Sequence, residues 1–235
     1  MTERAEIARR FAELAPWQTR FLVEGQAHGG DLDYSEDGRV PEFFRWFGAP
    51  RTILELGSAE GALTLQLAAP ETVERVVALE ARADHAARSR LALELLGRGN
   101  VESFAVDLEA ADLAEHGRFD AVFCSGLLHR LVAPWRLLVE VGRVSDRLFL
   151  DTHYCFGDEA VEVDGYRGRW VVEGGPDPST GVRLRSFWLT RPSLLEALTE
   201  SGWAVRHVSD HPSWTVAPRI WLGCVRPLGA PQTEV

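Results

Sequence analysis

A short stretch of small residues is the part of the chain best suited to hold a ligand against bare backbone. It runs from Gly57 to Gly61 and follows an apolar, strand-like segment that delivers an acidic residue, Glu55. A helical pattern begins directly after it. Glycine has no Cβ and tolerates positive φ, so a ligand can approach the main chain at such a turn. The first N–H groups of the following helix would favour anionic groups on that ligand.

The pattern Glu55-x-Gly57-x-x-x-Gly61 differs from the two common phosphate-binding glycine motifs. It lacks the Lys-Ser/Thr pair of a P-loop and the second glycine of G-x-G-x-x-G. It resembles motif I of the class I S-adenosylmethionine-dependent methyltransferases. The resemblance implies an enzyme with S-adenosylmethionine as its cofactor, whose methionine part meets the backbone of the glycine turn.

Two further acidic residues, Glu80 and Asp107, come where the next two predicted strands end. Ligands bind at the carboxyl ends of parallel strands. A carboxylate at Glu80 can accept hydrogen bonds from both ribose hydroxyls, and Asp107 is placed to accept from an adenine amino group, which are the roles that the family gives to these positions. The predicted cofactor site comprises Glu55, Gly57, Ser58, Ala59, Gly61, Glu80, Ala81, Asp107, Leu108 and Ser125. Nicotinamide binding is the main rival, because Glu80 also lies at the distance expected for a dinucleotide ribose.

Two histidines follow neighbouring predicted strands and could act on a methyl acceptor. His129 ends the segment Ser125-Gly126-Leu127-Leu128-His129, which resembles the pocket-lining segment of many small-molecule methyltransferases. His153 follows the next strand, beside Asp151 and Tyr154. The pKa of histidine suits a general base for a hydroxyl acceptor. We predict His129 as the first choice for the base or a substrate-orienting group, with packing near the cofactor as the alternative, and His153 as the second choice.

A magnesium site is the other chemistry to weigh at this position. Asp151, His153 and Cys155 alternate, so on a strand they would share one face. Magnesium prefers several oxygen ligands, and a second carboxylate is not evident here. We therefore predict no metal.

The elements that would position these residues alternate between strands and helices. The repeated strand–helix order implies right-handed crossovers and a parallel sheet buried on both faces. We predict an α/β fold with a Rossmann-like, seven-stranded, mostly parallel sheet, whose last strand runs antiparallel at the end of the sheet. The strands are predicted at the glycine-turn segment, 73–80, 101–106, 119–126, 147–154, 203–209 and 219–226, and the main helices at 82–96, 134–144 and 191–201.

Three regions flank or interrupt this core. Residues 1–50 are predicted as a helical lid, with helices at 3–15 and 41–47. Residues 51–228 form the methyltransferase core domain, and a flap at 155–190 is inserted after its fifth strand. Aromatic residues of the flap could cover an aromatic or sugar acceptor, namely Tyr166, Trp170 and Trp188. Residues 229–235 are predicted as a flexible tail.

Composition limits the partners. The chain has 235 residues and a formal net charge of −10, which argues against a large nucleic-acid footprint. It has no apolar run long enough to span a bilayer and no secretory signal, so we expect a cytoplasmic protein. Its three cysteines form neither a disulfide framework nor a zinc pattern.

The function expected from these features is methyl transfer to a small molecule. The segments 23–30 and 186–203 are similar to the subgroup that contains the tRNA wobble-uridine carboxymethyltransferases and relatives acting on sugars and natural products. The longer basic N-terminal region of the tRNA enzymes is absent here. We predict O-methylation of a sugar or natural product. The alternatives are a tRNA-modifying enzyme of the wobble-uridine type and a catalytically silent subunit that binds the cofactor.

Overall fold

The computed structural model describes residues 2–173, 180–213 and 217–227. The chain forms two compact units, Met1–Asp107 and Leu108–Val235. The structure contains the mostly parallel seven-stranded sheet that the sequence predicts. Among the described residues, no helix combines the length and the apolar character needed to cross a bilayer.

The first unit contains a three-stranded parallel sheet preceded by an N-terminal segment. Its elements are α1 (Glu3–Glu13), β1 (Arg20–Val23), β2 (Gln26–Gly29), α2 (Arg39–Phe47), β3 (Thr52–Leu56), α3 (Ala62–Leu67), β4 (Arg75–Glu80), α4 (Ala83–Leu95) and β5 (Val101–Ala105). The strand order is β3-β4-β5, with both pairs parallel. The central strand β4 is buried from Val76 to Glu80, as its continuous apolar run predicts.

The N-terminal segment is not purely helical, which corrects the prediction of a helical lid. Strands β1 and β2 form an antiparallel hairpin between α1 and α2. Its two-residue turn, Glu24-Gly25, has positive φ at both positions, 49° and 74°, and such turns match the natural twist of a hairpin. The hairpin was not predicted from the sequence, because each strand has only four residues and β2 has no alternation of buried and exposed positions.

The second unit contains four strands of the central sheet and a separate small sheet. Its elements are β6 (Ala121–Ser125), α5 (Pro134–Val144), β7 (Arg147–His153), β8 (Val161–Val163), β9 (Tyr166–Val172), β10 (Arg185–Leu189), α6 (Arg191–Glu200), β11 (Ala204–His211) and β12 (Arg219–Val225). The strand order is β11-β12-β7-β6, and β6 and β7 are parallel.

The last strand, β12, is antiparallel as predicted, but it does not lie at the end of the sheet. It pairs with β7 on one side and with β11 on the other. Burial explains the order. The residues Ile220, Leu222 and Cys224 of β12 are fully buried, whereas β11 has no buried residue and is suited to an edge.

The predicted flap at 155–190 folds in part as a three-stranded antiparallel sheet of order β10-β9-β8. Strand β10 is buried from Ser186 to Leu189, so this part of the insertion is packed against other residues. Residues 174–179 of the flap and the predicted tail at 229–235 lie outside the described residues.

Candidate active site

The glycine turn is fixed to the neighbouring strand by its own backbone. The N–H groups of Gly57 and Ser58 both donate to the carbonyl oxygen of Leu79, at 2.8 and 3.2 Å. Gly57 has φ +78° and Ala59 has φ +47°, so the chain bends sharply here. The turn that follows β3 is therefore held beside the end of β4, where Glu80 lies.

Glu80 is a structural part of the turn as well as an acceptor. Its carboxylate accepts hydrogen bonds from the backbone N–H groups of Ala59, at 2.8 Å, and Arg82, at 2.9 Å. The residue is 8% exposed, which excludes an ordinary solvated loop carboxylate. Each carboxylate oxygen has a second lone pair, so two acceptor positions remain for hydroxyl groups.

The acid at the end of β3 has a different environment. Glu55 is buried, and its carboxylate accepts a hydrogen bond from the Thr64 hydroxyl at 2.5 Å. Burial raises the pKa of Glu55 to about 7, against a smaller lowering by the Thr64 hydrogen bond, and the nearby charge of Glu80 raises it further. Glu55 therefore carries a proton in a substantial fraction of molecules at neutral pH.

The second glycine of the motif serves packing. Gly61 has φ +90°, and a Cβ there would lie 2.6 Å from the Ser89 hydroxyl oxygen on α4. This close approach of the turn to α4 accounts for the glycine without a ligand. The turn also contains Ser58, whose buried hydroxyl has no hydrogen-bond partner within the described part of the chain. An orphaned hydroxyl beside the Glu80 acceptor fits a nucleoside with polar groups of its own.

Sequence reasoning missed the role of Glu60. This buried carboxylate accepts hydrogen bonds from the backbone N–H groups of Gln18 and Thr19, the shortest being 2.7 Å, and lies 3.5 Å from Arg88. It ties the N-terminal segment to the glycine turn. The one available signal was the presence of an acidic residue, Glu60, among the small residues of the turn. Its partners are backbone N–H groups, which the residue types do not reveal.

The remaining predicted cofactor residues have separate settings. Ala81 directly follows β4, and Asp107 follows β5; both are partly buried. Leu108 is buried and begins the second unit. Ser125 ends β6, and its hydroxyl donates to the Asp151 carboxylate at 2.7 Å. Their roles toward the cofactor stay predictions.

Asp151 is held by a buried ion pair. Its carboxylate is fully buried and accepts two hydrogen bonds from the Arg219 guanidinium, at 2.6 and 2.5 Å, besides the one from Ser125. This bidentate pair compensates the negative charge of Asp151, whose burial would otherwise be unfavourable. Within the described ranges no three metal-binding side chains cluster.

The structure brings the two predicted histidines together with one flap residue. The rings of His129 and His153 are perpendicular, with centroids 4.7 Å apart. The Trp188 ring stacks on His153 at 5.3 Å and meets His129 edge-on at 5.2 Å. The Trp188 indole N–H is buried without a partner. We call these three residues the ring cluster.

Burial dominates the electrostatics of the ring cluster. It lowers the pKa of His129 well below the usual range, and the positive charges of Arg130, His153 and Arg219 act in the same direction. Burial also lowers the pKa of His153, again with Arg219, although hydrogen bonds to the Pro218 and Ala217 carbonyls oppose the shift. Both rings are therefore mainly neutral at neutral pH.

The turn that carries His129 is anchored to β10. The N–H of Phe187 donates to the Leu131 carbonyl at 2.8 Å. Arg130 pairs at 3.0 Å with Glu173, a buried carboxylate that also accepts from the Ser186 hydroxyl at 2.6 Å. The position of His129 thus depends on the inserted sheet.

A cavity of about 390 Å³ lies within the second unit, next to the backbone that contacts His153. Aromatic and charged side chains share its wall, which consists of Tyr154, Cys155, Phe156, Asp158, Arg169, Ala217 and Pro218. A cavity of this size suits a small molecule that carries both apolar and polar groups.

Comparison with known proteins agrees with this geometry. Residues 53–146 match a family model described as a methyltransferase domain. The N-terminal domain of EvdMO1, solved in the presence of SAH and D-fucose, is 36% identical over 96% of this chain and 97% of that chain, with a TM-score of 0.84. The chain covers 47% of the longer EvdMO1 structure. None of the curated proteins compared with the chain matches it.

A more distant structure shows the fold alone. It is the 1,6-didemethyltoxoflavin-N1-methyltransferase of Burkholderia thailandensis, with bound 1,6-didemethyltoxoflavin and S-adenosylhomocysteine. It is 18% identical over 81% of this chain and 77% of that chain, at a TM-score of 0.60. The glycine turn, the acid at the end of β4 and the likeness to the EvdMO1 domain lead to one conclusion. The chain belongs to the class I S-adenosylmethionine-dependent methyltransferases.

Proposed function

We propose that this enzyme methylates a hydroxyl oxygen of a small-molecule acceptor, namely a sugar or a sugar-bearing natural product. The observation that carries the proposal is the 36% identity to the EvdMO1 N-terminal domain across almost the whole of both chains, since that domain was crystallised with SAH and D-fucose. A likeness of this extent includes the inserted sheet and the N-terminal segment, which are outside the matched methyltransferase model.

The cavity of the second unit supports a sugar-like acceptor. Tyr154 and Phe156 offer aromatic surface to the C–H face of a ring, while Asp158 and Arg169 offer an acceptor and donors for its hydroxyl groups. The formal net charge of −10 favours this acceptor class over tRNA, whose binding would draw on clustered basic residues.

The first unit supplies the residues proposed to hold the cofactor. Glu80 has two free acceptor positions for the ribose hydroxyls, and Asp107 follows the adjacent strand, where it would accept from the adenine amino group. Glu55 and the turn from Gly57 to Gly61 would face the methionine part. When bound, S-adenosylmethionine supplies a methyl group activated by a sulfonium.

The protein's own contribution is alignment of the acceptor and removal of its proton. Holding an attacking oxygen in line can account for roughly 7–11 kcal/mol of a barrier. A base within reach of the hydroxyl adds about 10²- to 10⁴-fold. The ring cluster is the candidate for that base in the second unit.

The proposal is tested by incubating the enzyme with S-adenosylmethionine carrying a deuterated methyl group and a panel of D-fucose, other deoxysugars and their methyl glycosides. Mass spectrometry should detect a labelled methyl ether on at least one sugar. Unmodified tRNA and a catechol serve as competing acceptors. Label appearing in tRNA or the catechol alone would overturn the proposal.

A further inference from the structure

The hydrogen bonds of His153 fix which of its ring nitrogens carries the proton. Its Nδ1 lies 3.1 Å from the carbonyl oxygen of Ala217 and 3.1 Å from that of Pro218. A carbonyl oxygen can only accept, so Nδ1 must be the protonated nitrogen. In the neutral ring the lone pair is then on Nε2.

His129 has the opposite arrangement. Its Nδ1 lies 3.4 Å from the backbone nitrogen of His153, and a backbone N–H can only donate. The Thr152 hydroxyl, 3.3 Å from the same Nδ1, can also donate to it, as an alternative to the His153 carbonyl oxygen at 3.2 Å. His129 therefore accepts through Nδ1, and its proton is on Nε2.

The surroundings keep these tautomers neutral. The charged groups around the cluster are Arg130 on the His129 turn, Arg219 on β12 and Asp151 on β7. Asp151 is engaged by Arg219, so its charge is compensated locally. A proton on His129 Nδ1 would point at the N–H of His153, which makes His129 the harder of the two rings to protonate.

We propose that His153 is the general base of the reaction, through its Nε2 lone pair, and that His129 is a hydrogen-bond donor that orients the acceptor oxygen through Nε2–H. This inference rests on the proposed function and reverses the order predicted from the sequence. As the bond from oxygen to methyl forms and the methyl–sulfur bond breaks with its electron pair left on sulfur, the hydroxyl proton moves to His153. The imidazolium then returns that proton to water.

Trp188 completes the arrangement. Its indole N–H is a buried donor without a partner, stacked on the ring of the proposed base. The ring cluster therefore contains one ring lone pair and two N–H donors. This combination suits an acceptor with an oxygen next to the reacting hydroxyl, as in the vicinal diol of a sugar.

The first test reads the tautomers directly and needs no acceptor. The full-length protein is labelled with ¹⁵N-histidine, and two-bond ¹⁵N–¹H couplings are recorded, with assignments from the His129→Asn and His153→Asn variants. We expect the Nδ1–H form for His153 and the Nε2–H form for His129. The reverse pattern, or the same tautomer in both rings, would overturn the inference even if sugars are methylated.

The second test uses amide side chains as partial mimics of the ring. In His153→Asn the amide nitrogen can still donate to the Ala217 and Pro218 carbonyls, but the Nε2 lone pair is lost. We expect kcat on the methylated sugar to fall by about 10²- to 10⁴-fold, with unchanged affinity for S-adenosylmethionine.

The matched variants separate the two roles. His129→Gln keeps an N–H donor near the Nε2 position and should retain more activity than His153→Asn. His116→Asn, outside the ring cluster, should behave as wild type. Full activity in His153→Asn together with inactivity in His129→Gln would refute the assignment. If no sugar is methylated, the proposed function fails and the NMR result still decides the tautomers.

Discussion

The carboxylate of Glu80 accepts a hydrogen bond of 2.8 Å from the backbone N–H of Ala59. One acidic side chain therefore shapes the glycine turn and offers acceptors to whatever lies beside it. Glu80 therefore fixes the backbone of the turn, in addition to the ribose binding that we propose for it.

Loss of this carboxylate should weaken cofactor binding. We expect Glu80→Ala to bind S-adenosylmethionine at least tenfold more weakly, because each hydrogen bond to a charged acceptor contributes about 1.5–3 kcal/mol. Isothermal titration calorimetry measures the change. Glu74→Ala, an exposed acid of the same unit, is the control and should bind normally. Equal affinity in both variants would contradict the placement of the ribose.

Burial of Glu55 predicts a pH-dependent stability. Its pKa in the folded protein is raised from 4.5 to about 7, so the folded state binds more protons than the unfolded state between these values. Stability should therefore fall as pH rises through this window, by about 3 kcal/mol from this group. Urea unfolding as a function of pH measures the slope.

The variant Glu55→Gln isolates that contribution. Its amide oxygen can still accept from Thr64, and it carries no charge. The fall in stability attributable to residue 55 should disappear, which makes the variant more stable than wild type above the window. An unchanged pH profile would show that Glu55 titrates normally.

The close contact of Gly61 with Ser89 can be tested by comparing Gly61 with another glycine that has positive φ. Gly61→Ala should lose about 1–2 kcal/mol for the left-handed conformation and about 1–3 kcal/mol more for the contact with Ser89. Gly97 also has positive φ, +68°, but a Cβ there meets nothing within 4 Å. Gly97→Ala should show the conformational cost alone. Equal losses in chemical denaturation would argue against the close approach to α4.

The Asp151–Arg219 pair predicts an asymmetric response to mutation. Arg219→Met should destabilise the protein by about 3–5 kcal/mol, because it leaves a fully buried carboxylate without its cation. The double variant Asp151→Asn/Arg219→Met should recover part of this loss. Arg143→Met, which breaks a largely exposed pair, should change stability by less than about 1 kcal/mol. Thermal unfolding of the four proteins provides the comparison.

The central sheet follows from the sequence because most of its strands, namely β3, β4, β6, β7 and β12, are mainly apolar runs between turn signals. Helix α5 begins at Pro134 and ends at Val144, as the proline and the apolar spacing predict. The β1–β2 hairpin did not follow, since its strands are short and β2 is not buried. Neither did the internal position of β12, because strand order depends on pairing between segments that are distant in the chain.

The sequence predicted which residues lie near the candidate site, but it did not predict the hydrogen bonds that define their roles. Glu80 and His153 end strands and His129 lies in the turn after one, and the periodicity of the sequence locates those strands. The tautomer of His153 depends on the carbonyls of Ala217 and Pro218, more than sixty residues away. Glu60 likewise acts on main-chain groups of Gln18 and Thr19. Backbone partners of this kind are created by folding and have no signature in residue types.

The internal position of β12 also has a consequence for synthesis. The ribosome makes this strand after both of the strands that it joins, so β7 and β11 wait for their common neighbour until residues 219–225 emerge. Until then the edge of β7 is open to pairing with other nascent chains. Truncation before residue 219 should therefore leave β7 and β11 without their common neighbour.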